Sequence, residues 1–170
     1  MDRQYLLEQI DDAAVVQLYA DGFADLPRDQ KILIWHLSQA ALAGRDIYVD
    51  QRYRHSLEMR GFLEGIIRAA RQDASAFDPS TLEEVVRYTK LFWINGGPYN
   101  NLTARKFVLN LTPQALAAAV KASGSSGGTF ATRQGETVDA MLARLGPMFF
   151  DPNVDPIVTN KTPGAGRDIL

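Results

Sequence analysis

The stretch DPSTLEEVVRYTKLFWINGGPYN, residues 78–100, contains the clearest helix of the sequence and its most unusual loop. Ser80 followed three residues later by Glu83 is typical of a capping box, in which each side chain accepts a hydrogen bond from the other residue's backbone N–H. Apolar residues then recur until Gly96-Gly97-Pro98, which can end a helix through a left-handed residue. The stretch therefore predicts a helix from Ser80 to about Asn95, followed by irregular chain.

Three helices are predicted before this stretch, because apolar residues recur there at steps of three and four. In the first, Leu6, Ile10 and Leu18 follow this spacing up to the breaker Asp21-Gly22. A long third helix includes Gly61 and Gly65, which predict a kink or a close helix contact. The three predicted ranges are 2–20, 27–44 and 45–71.

The second of these helices begins with Pro27, since a proline in the first turn loses no hydrogen bond. Its apolar face consists of Leu33, Leu37, Ala40 and Ala41. The helix is expected to end at Gly44.

Two short helices are predicted after the opening stretch. The first of them is predicted to begin at Thr112-Pro113, with Thr112 as the N-cap and Pro113 in the first turn, and to end at Gly124. A further helix is expected over residues 136–145, ended by Gly146-Pro147. Between them, residues 123–129 are expected to form a flexible surface loop.

The whole pattern predicts a mainly α domain of about six helices. Short extended or irregular segments are expected near residues 95–110 and after Phe150. A chain of 170 residues is long enough for one domain with its own core, so residues 1–170 are treated as a single unit.

Composition excludes several classes of partner and site. The chain has 18 basic and 20 acidic residues, so its charge favours neither nucleic acid nor an anionic membrane surface. No apolar run reaches the ~18 residues that a membrane-spanning helix needs. The sequence contains no cysteine, which excludes disulfides and thiolate metal sites and fits a cytoplasmic location.

The residues that could carry catalysis do not form a known motif. His36 and His55 are the two histidines, and neither belongs to the HExxH pattern of zinc peptidases. We expect His36 at the edge of the core and His55 on the surface. The run SGSSGG, residues 123–128, has neither the flanking elements of a nucleophile elbow nor the ending of a phosphate loop. The arginines of residues 45–71 alternate with acids at helical spacing, which is typical of a salt-bridged solvent face.

The loop after the fourth helix is the best candidate for binding. Asn95 and Asn100 bring amides that can donate and accept, and Gly96-Gly97 can keep the backbone accessible. Such a loop could bind another backbone. The alternative is that it only caps the helix and turns the chain.

At this loop the sequence resembles the dipeptidyl peptidase III family, zinc peptidases that release dipeptides from the N-terminus of oligopeptides. The similarity lies in Asn95-x-Gly97-x-Tyr99 and in Lys106-Phe107-Val108-x-Asn110-Leu111, in the family's order and spacing. Residues 36–51 resemble an earlier helical segment of the family, and residues 150–170 the stretch leading out of its N-terminal part. The run NGGPYN is closer to the peptidase-like region attached to some Nudix hydrolases.

The resemblance implies that this chain is an N-terminal, mostly helical piece of the lobe that faces the zinc lobe across the substrate cleft. The family's HExxGH helix and second zinc-ligand motif are absent from these 170 residues. The chain alone is therefore expected to hold no metal or other cofactor and to be inactive. Its expected partners are an oligopeptide and the zinc-binding part of the same polypeptide.

The resemblance also gives the loop a role. The expected substrate-binding residues are Asn95, Gly96, Gly97, Tyr99 and Asn100, which would pair with the backbone of a bound peptide whatever its side chains. Tyr99 would add an aromatic wall, and Trp93 would anchor the helix end in the core.

A second hypothesis is a free-standing helical module that binds another protein. The terminal Ile169-Leu170 looks like an element cut off at its start, which favours a longer chain. The two hypotheses differ in whether the reading frame continues past Leu170 into an HExxGH-containing region.

Overall fold

The computed structural model describes residues 3–158, and the terminal residues for which a truncated element is expected lie outside this range. The described chain is mainly helical, as predicted. Two 3-10 turns lie at Asp21–Phe23 and Ala74–Ala76. The larger elements are, in chain order, strands β1 (Leu6–Ile10) and β2 (Ala13–Val16) and helices α1 (Arg28–Arg52), α2 (Ser56–Gln72), α3 (Pro79–Asn95), α4 (Pro113–Ser125) and α5 (Val138–Phe150).

The helix predicted over residues 2–20 is wrong, because this segment forms a β-hairpin. β1 and β2 pair antiparallel, with Ile10 opposite Ala13 across a two-residue turn. Asp11 adopts a left-handed φ of 52° in that turn, which Asp tolerates better than most residues. The apolar spacing was compatible with a helix, but the β-branched Val15 and Val16 and the Asp-Asp turn favour strands.

The boundary predicted between the next two helices is also wrong. α1 continues through Gly44 to Arg52, and the break occurs at Tyr53, which has extended backbone angles of −160° and 126°. No Gly, Pro or Asn marks this position. At the break the Tyr53 hydroxyl donates to the carboxylate of Asp155 at 2.9 Å, 102 residues later in the chain.

The cap of α3 differs from the prediction by two residues. Asp78, not Ser80, is the N-cap, and its carboxylate accepts the N–H of Thr81 at 2.8 Å. Pro79 then fills the first helical position, where its missing N–H costs nothing. At the other end the prediction is confirmed, since Gly96 has a φ of 65° and ends the helix in the left-handed region.

α4 begins as predicted, with the Thr112 side chain accepting the N–H of Ala115. It runs on to Ser125, and Ser123 is fully buried, so the start of the expected flexible loop is in fact helical. α5 begins at Val138 after its cap Thr137 and continues past Gly146-Pro147, which was expected to end it. Burial of Phe149 in the core compensates for the hydrogen bond that Pro147 removes.

α2, α3, α4 and α5 surround one core, and these four helices together with that core form the body. Gly65 of α2 makes the close contact expected of a helix glycine, but with a side chain outside the helices. An added Cβ would stand 2.8 Å from the ring of Phe130. α2 is continuous at both Gly61 and Gly65. The largest fully buried side chains include Met59, Phe62, Leu63, Ile66, Val85, Tyr88, Phe92, Leu116, Met141, Leu145 and Phe149.

α1 projects from the body instead of packing along it. Among the 25 residues of α1 in the described structure, Val49 is the buried one. The predicted apolar face of the helix is exposed. Leu33 and Leu37 are 57% and 60% exposed. His36 is exposed as well, so its expected place at the edge of the core is wrong.

Candidate functional site

The predicted loop belongs to a small antiparallel arrangement of three chain segments. Asn100 N–H donates to the carbonyl oxygen of Arg105 at 2.9 Å, and Phe107 N–H donates to that of Pro98 at 2.9 Å. The third segment joins when Lys106 N–H donates to the carbonyl oxygen of Pro156 at 3.0 Å. The structure thus brings residues 98–100, 105–107 and 156–158 together.

Two tyrosines attach this arrangement to residues 151–158. The hydroxyl of Tyr99 donates to the backbone oxygen of Asp155 at 2.7 Å, and that of Tyr53 donates to its carboxylate at 2.9 Å. Their rings meet edge to face with centroids 5.3 Å apart. Burial and the Asp155 carboxylate raise the pKa of both tyrosines, so both hydroxyls remain donors at neutral pH.

Lys106 fixes the turn that precedes Asp155. Its ammonium group donates to the carbonyl oxygen of Val154 at 2.6 Å and to that of Asp151 at 3.1 Å. Burial lowers the pKa of Lys106. Residues 151–154 therefore fold around the half-buried ammonium group of Lys106.

The two glycines lie at the junction of α1, α2 and α3, and both need to be glycine. An added Cβ on Gly96 would stand 2.5 Å from the ring of Tyr48, and one on Gly97 would stand 2.9 Å from Ser56 Oγ. Their φ angles of 65° and 152° lie in the range that favours glycine. Both residues are buried, so the loop backbone is covered at this point.

The two asparagines organise the loop from within. Asn95 is 7% exposed, and its side chain donates to the carbonyl oxygen of Leu91 at 2.9 Å and accepts the N–H of Asn101 at 2.9 Å. Asn100 is half-buried and accepts the N–H groups of Leu102 and Thr103 at 2.9 and 3.0 Å. Both amides therefore serve turns of the chain itself.

The five expected substrate-binding residues thus lie together, but mostly under the surface. Asn95, Gly96, Gly97 and Tyr99 are buried and Asn100 is half-buried. The accessible part of the loop is its tip, where Leu102 is 95% exposed. Their role in binding substrate stays a prediction.

Trp93 does not anchor the helix end in the core, as was expected. Its side chain is 46% exposed, and its indole N–H donates to Glu64 at 3.0 Å. Its sequence position was misleading because the neighbouring Phe92 takes the buried place on α3.

Sequence reasoning missed Arg52, Tyr53 and Asp155, which connect the loop to α1 and to the later chain. One Arg52 nitrogen donates to the carbonyl oxygen of Tyr99 at 3.2 Å and another to the Tyr48 hydroxyl at 3.0 Å. Within residues 3–158, Arg52 Nε and Ser56 Oγ are buried without a partner. The one sequence signal for these contacts was Asp155-Pro156, which predicts a turn. The sequence does not indicate that a tyrosine about a hundred positions earlier would bind to this turn.

A second polar cluster centres on Glu58. Arg144 donates to its carboxylate at 2.9 Å and Arg133 at 2.8 Å, which joins α2 to α5 and to the segment before it. Burial opposes ionisation, but these hydrogen bonds lower the pKa of Glu58 to about 2. The expected salt-bridged face of residues 45–71 is present elsewhere on α2, where Glu64 pairs with Arg60 at 3.7 Å and with Arg68 at 3.5 Å. Arg60 also pairs with Asp46 of α1 at 2.9 Å.

His55, expected on the surface, has a side chain only 13% exposed. Its Nε2 accepts a hydrogen bond from Arg54 at 3.1 Å, and burial together with Arg54 lowers its pKa. Among residues 3–158, no three His, Asp or Glu side chains come close enough together to hold a metal ion. Likewise, no helix of the described chain has the length and apolar character to cross a membrane.

Two comparisons with known protein sequences gave no relative from which to transfer a role. No protein-family model matched the chain, and a search of curated proteins found no significant match.

Proposed function

We propose that this chain is the non-catalytic, cleft-side part of a dipeptidyl peptidase III-like metallopeptidase. The complete enzyme would release N-terminal dipeptides from oligopeptides. Another part of the same polypeptide would hold the zinc ion, and the zinc ion would activate the attacking water. The role of this chain would be to bind and orient the peptide.

One observation carries the proposal. Residues 95–100 and 105–107 are neighbours in sequence, but Asp155 lies 56 residues after Tyr99. The stretches 95–100, 105–107 and 151–157, which all carry the family resemblance, contact one another through Tyr99, Lys106 and Asp155. Their meeting supports a shared structural unit.

The contacts also suggest how the unit would act. Because the polar groups of Asn95 and Tyr99 are used within the fold, they would hold the loop rigid. Asn100 and the exposed tip at Leu102 would then lie nearest to a bound peptide. A preorganised loop loses little conformational entropy on binding, which favours affinity.

The test is to read the gene beyond the codon for Leu170 and to assay the complete product. We expect an HExxGH-containing region and zinc-dependent release of dipeptides from a chromogenic dipeptidyl amide. The purified 170-residue chain should show neither activity nor stoichiometric zinc. A reading frame that ends at Leu170, or a complete product without dipeptidyl peptidase activity, would refute the proposal.

A second candidate function is that of a helical protein-interaction module. The exposed apolar face of α1 favours it, because monomeric proteins rarely leave a large contiguous apolar patch in water. Under either function we propose a cytoplasmic location, since the chain has no cysteine and no spanning helix was found in its described part.

A further inference from the structure

Arg52 is a half-buried cation where α1, α2 and the loop meet, and no carboxylate of the described chain accepts a hydrogen bond from it. Its guanidinium donates to the Tyr48 hydroxyl at 3.0 Å and to the carbonyl oxygen of Tyr99 at 3.2 Å, which are both uncharged. Other half-buried arginines, such as Arg60 and Arg144, each pair with a carboxylate. Because a buried charge without an opposite charge is costly, the Arg52 guanidinium favours a negative ligand.

Two polar atoms at this junction are buried and make no hydrogen bond with any of residues 3–158. One is Nε of Arg52, and the other is Oγ of Ser56, a residue that is completely buried. Almost all buried polar groups in proteins have a partner, so such atoms indicate a bound water or ion. A third atom of this kind, Nδ1 of His55, lies 3.7 Å from the carboxylate of Glu58 and belongs to that cluster instead.

Gly97 shows that the two atoms are close together. A Cβ added to Gly97 would stand 2.9 Å from Ser56 Oγ and 3.9 Å from Cδ of Arg52, to which Nε is bonded. The glycine therefore leaves space beside both the hydroxyl and the guanidinium. Since both polar atoms are shielded from solvent, a ligand that reaches them must be small.

The end of α2 adds to the positive potential at this place. Ser56 is the first residue of α2, a helix of 17 residues. The first N–H groups of a helix have no partner within it and give this end a partial positive charge. Arg52, the last residue of α1, brings a full positive charge to the same end. Helix N-termini with additional donors of this kind bind anions.

We propose that Arg52, Ser56 and the N-terminus of α2 bind a monovalent inorganic anion of the size of chloride. The Nε–H group of Arg52 and the hydroxyl of Ser56 donate hydrogen bonds to it. A water molecule can accept both hydrogen bonds, but it leaves the charge of Arg52 uncompensated, and this favours the anion.

The bound anion stabilises the junction from which α1 leaves the body. It contacts the last residue of α1 and the first residue of α2, and it lies beside Gly97 of the loop. The proposal does not depend on peptidase activity, because it concerns the folded chain alone.

The experiment measures urea unfolding of the 170-residue chain at increasing chloride, with sodium gluconate added to keep the ionic strength constant. Gluconate is too large for the buried space beside Gly97. An ion that binds only the folded chain lowers the unfolding constant about tenfold for each tenfold rise in its concentration above the dissociation constant. We expect this response in the wild type between about 10 mM and about 1 M chloride.

Ser56→Ala removes the buried hydroxyl without adding a new group. At low chloride the variant should be at least as stable as the wild type, because it no longer buries an unpaired hydroxyl. At high chloride it should be less stable, because the ion binds roughly tenfold more weakly. Ser123→Ala is the matched control, since Ser123 is equally buried but donates to the carbonyl oxygen of Ala119 at 2.8 Å. Its loss of stability should be the same at every chloride concentration.

Arg52→Gln removes the charge and should abolish the chloride response. Arg68→Gln, at an exposed arginine of α2, should keep the response of the wild type. If Arg52→Gln fails to fold, the change of sign expected for Ser56→Ala still tests the site.

A crystal structure of the chain in sodium bromide locates the ion, because bromide replaces chloride and scatters anomalously. The anomalous peak should lie within hydrogen-bonding distance of Arg52 Nε and Ser56 Oγ. Three results would overturn the proposal. They are a wild-type unfolding constant that does not depend on chloride, a chloride response in Ser56→Ala equal to that of the wild type, and a water molecule without bromide at these two atoms.

Discussion

α1 and α2 are neighbouring helices with similar apolar content and opposite environments. Leu63 of α2 is completely buried, whereas Leu37 of α1 is 60% exposed. Both leucines belong to apolar patterns with helical spacing, and both segments are helical. The comparison shows that spacing specifies a helix but does not specify which surface will cover it.

The two helices must therefore be stabilised differently. α2 gains from burial, at about 25 cal/mol for each Å² of apolar surface removed from water. α1 gains little from the body and depends on its length and on strong helix formers such as Ala40, Ala41 and Ala43. Its N-terminal part should be the first helical segment to open.

The largest expected effect compares one substitution at the two leucines. Leu63→Ala should lower the free energy of unfolding by about 2–5 kcal/mol, because it leaves a cavity in the core. Leu37→Ala should change it by less than about 0.5 kcal/mol, because the side chain is in water. Urea unfolding of both variants below the concentration of any self-association measures the difference.

Similar losses in the two leucine variants would contradict the comparison. They would mean that α1 is packed in solution, either on its own body or in an assembly that persists on dilution. A concentration-dependent loss for Leu37→Ala would identify the assembly.

The second expected effect concerns the attachment of α2 to α5 through Glu58. Folding lowers the pKa of Glu58 from 4.5 to about 2, so its contribution is fully present above pH 4.5 and is lost as the pH falls toward 2. The difference of about 2.5 pH units, discounted for partial exposure, gives on the order of 2 kcal/mol. Glu58→Gln should lose this amount at pH 7.

The stability of the wild type and of Glu58→Gln should converge as the pH approaches 2, measured by urea unfolding across the range. Glu83→Gln, at an exposed position of α3, is the matched control and should change the free energy of unfolding by less than about 0.5 kcal/mol. His55 affects the free energy of unfolding in a higher pH range. Since its pKa is lowered on folding, its contribution is lost as the pH falls below about 6.5. Glu58 opposes that lowering, so the loss below pH 6.5 should be larger in Glu58→Gln than in the wild type. A constant difference between wild type and Glu58→Gln at every pH would contradict the assignment.

The third expected effect lies where α1 meets the body, with Tyr48 over Gly96. Gly96→Ala should destabilise the chain by at least about 1–2 kcal/mol, because alanine is strained at a φ of 65° and its Cβ would stand 2.5 Å from the ring of Tyr48. Gly61→Ala is the control, and it should change the stability in the opposite direction. Gly61 is helical with open space around its missing Cβ, so the change should stabilise by up to about 1 kcal/mol. Thermal unfolding of both variants distinguishes them, and equal signs would refute this account.

The features that sequence predicted correctly are those determined locally. The cap at Thr112-Pro113 and the left-handed stop at Gly96 depend on a few adjacent residues. The hairpin of residues 6–16 was missed because its apolar spacing suits both a helix and a pair of strands. The break at Tyr53 was missed because Asp155, which holds that tyrosine, is distant in sequence.

The candidate site was predictable only in part. Sequence placed Asn95 at the end of a helix and Gly97 and Tyr99 in the chain that follows it, and the structure agrees. It could not show that these residues would be covered by Tyr48, Ser56 and residues 151–158, since burial depends on contacts between distant segments. The same limit applies to α1, whose exposure has no signature in its own sequence.

The smallest expected effect separates a structural from a binding role for the loop, by comparing Asn100 with Asn101. Asn100→Ala removes the acceptor for two backbone N–H groups and should cost on the order of 1 kcal/mol in stability. Asn101→Ala is the control, since that side chain is exposed and makes only a 3.5 Å contact with the carbonyl oxygen of Ile94. If the loop also binds peptide, Asn100→Ala in the complete enzyme should raise KM roughly fivefold at constant zinc content, while Asn101→Ala leaves KM unchanged. Because the buried Asn95 and Tyr99 hold the loop in place, kcat should change little in either variant. Loss of stability without a change in KM would show that Asn100 stabilises the turn and does not bind peptide. The exposed surface of α1 and the loop tip would then be the remaining candidates for binding a partner.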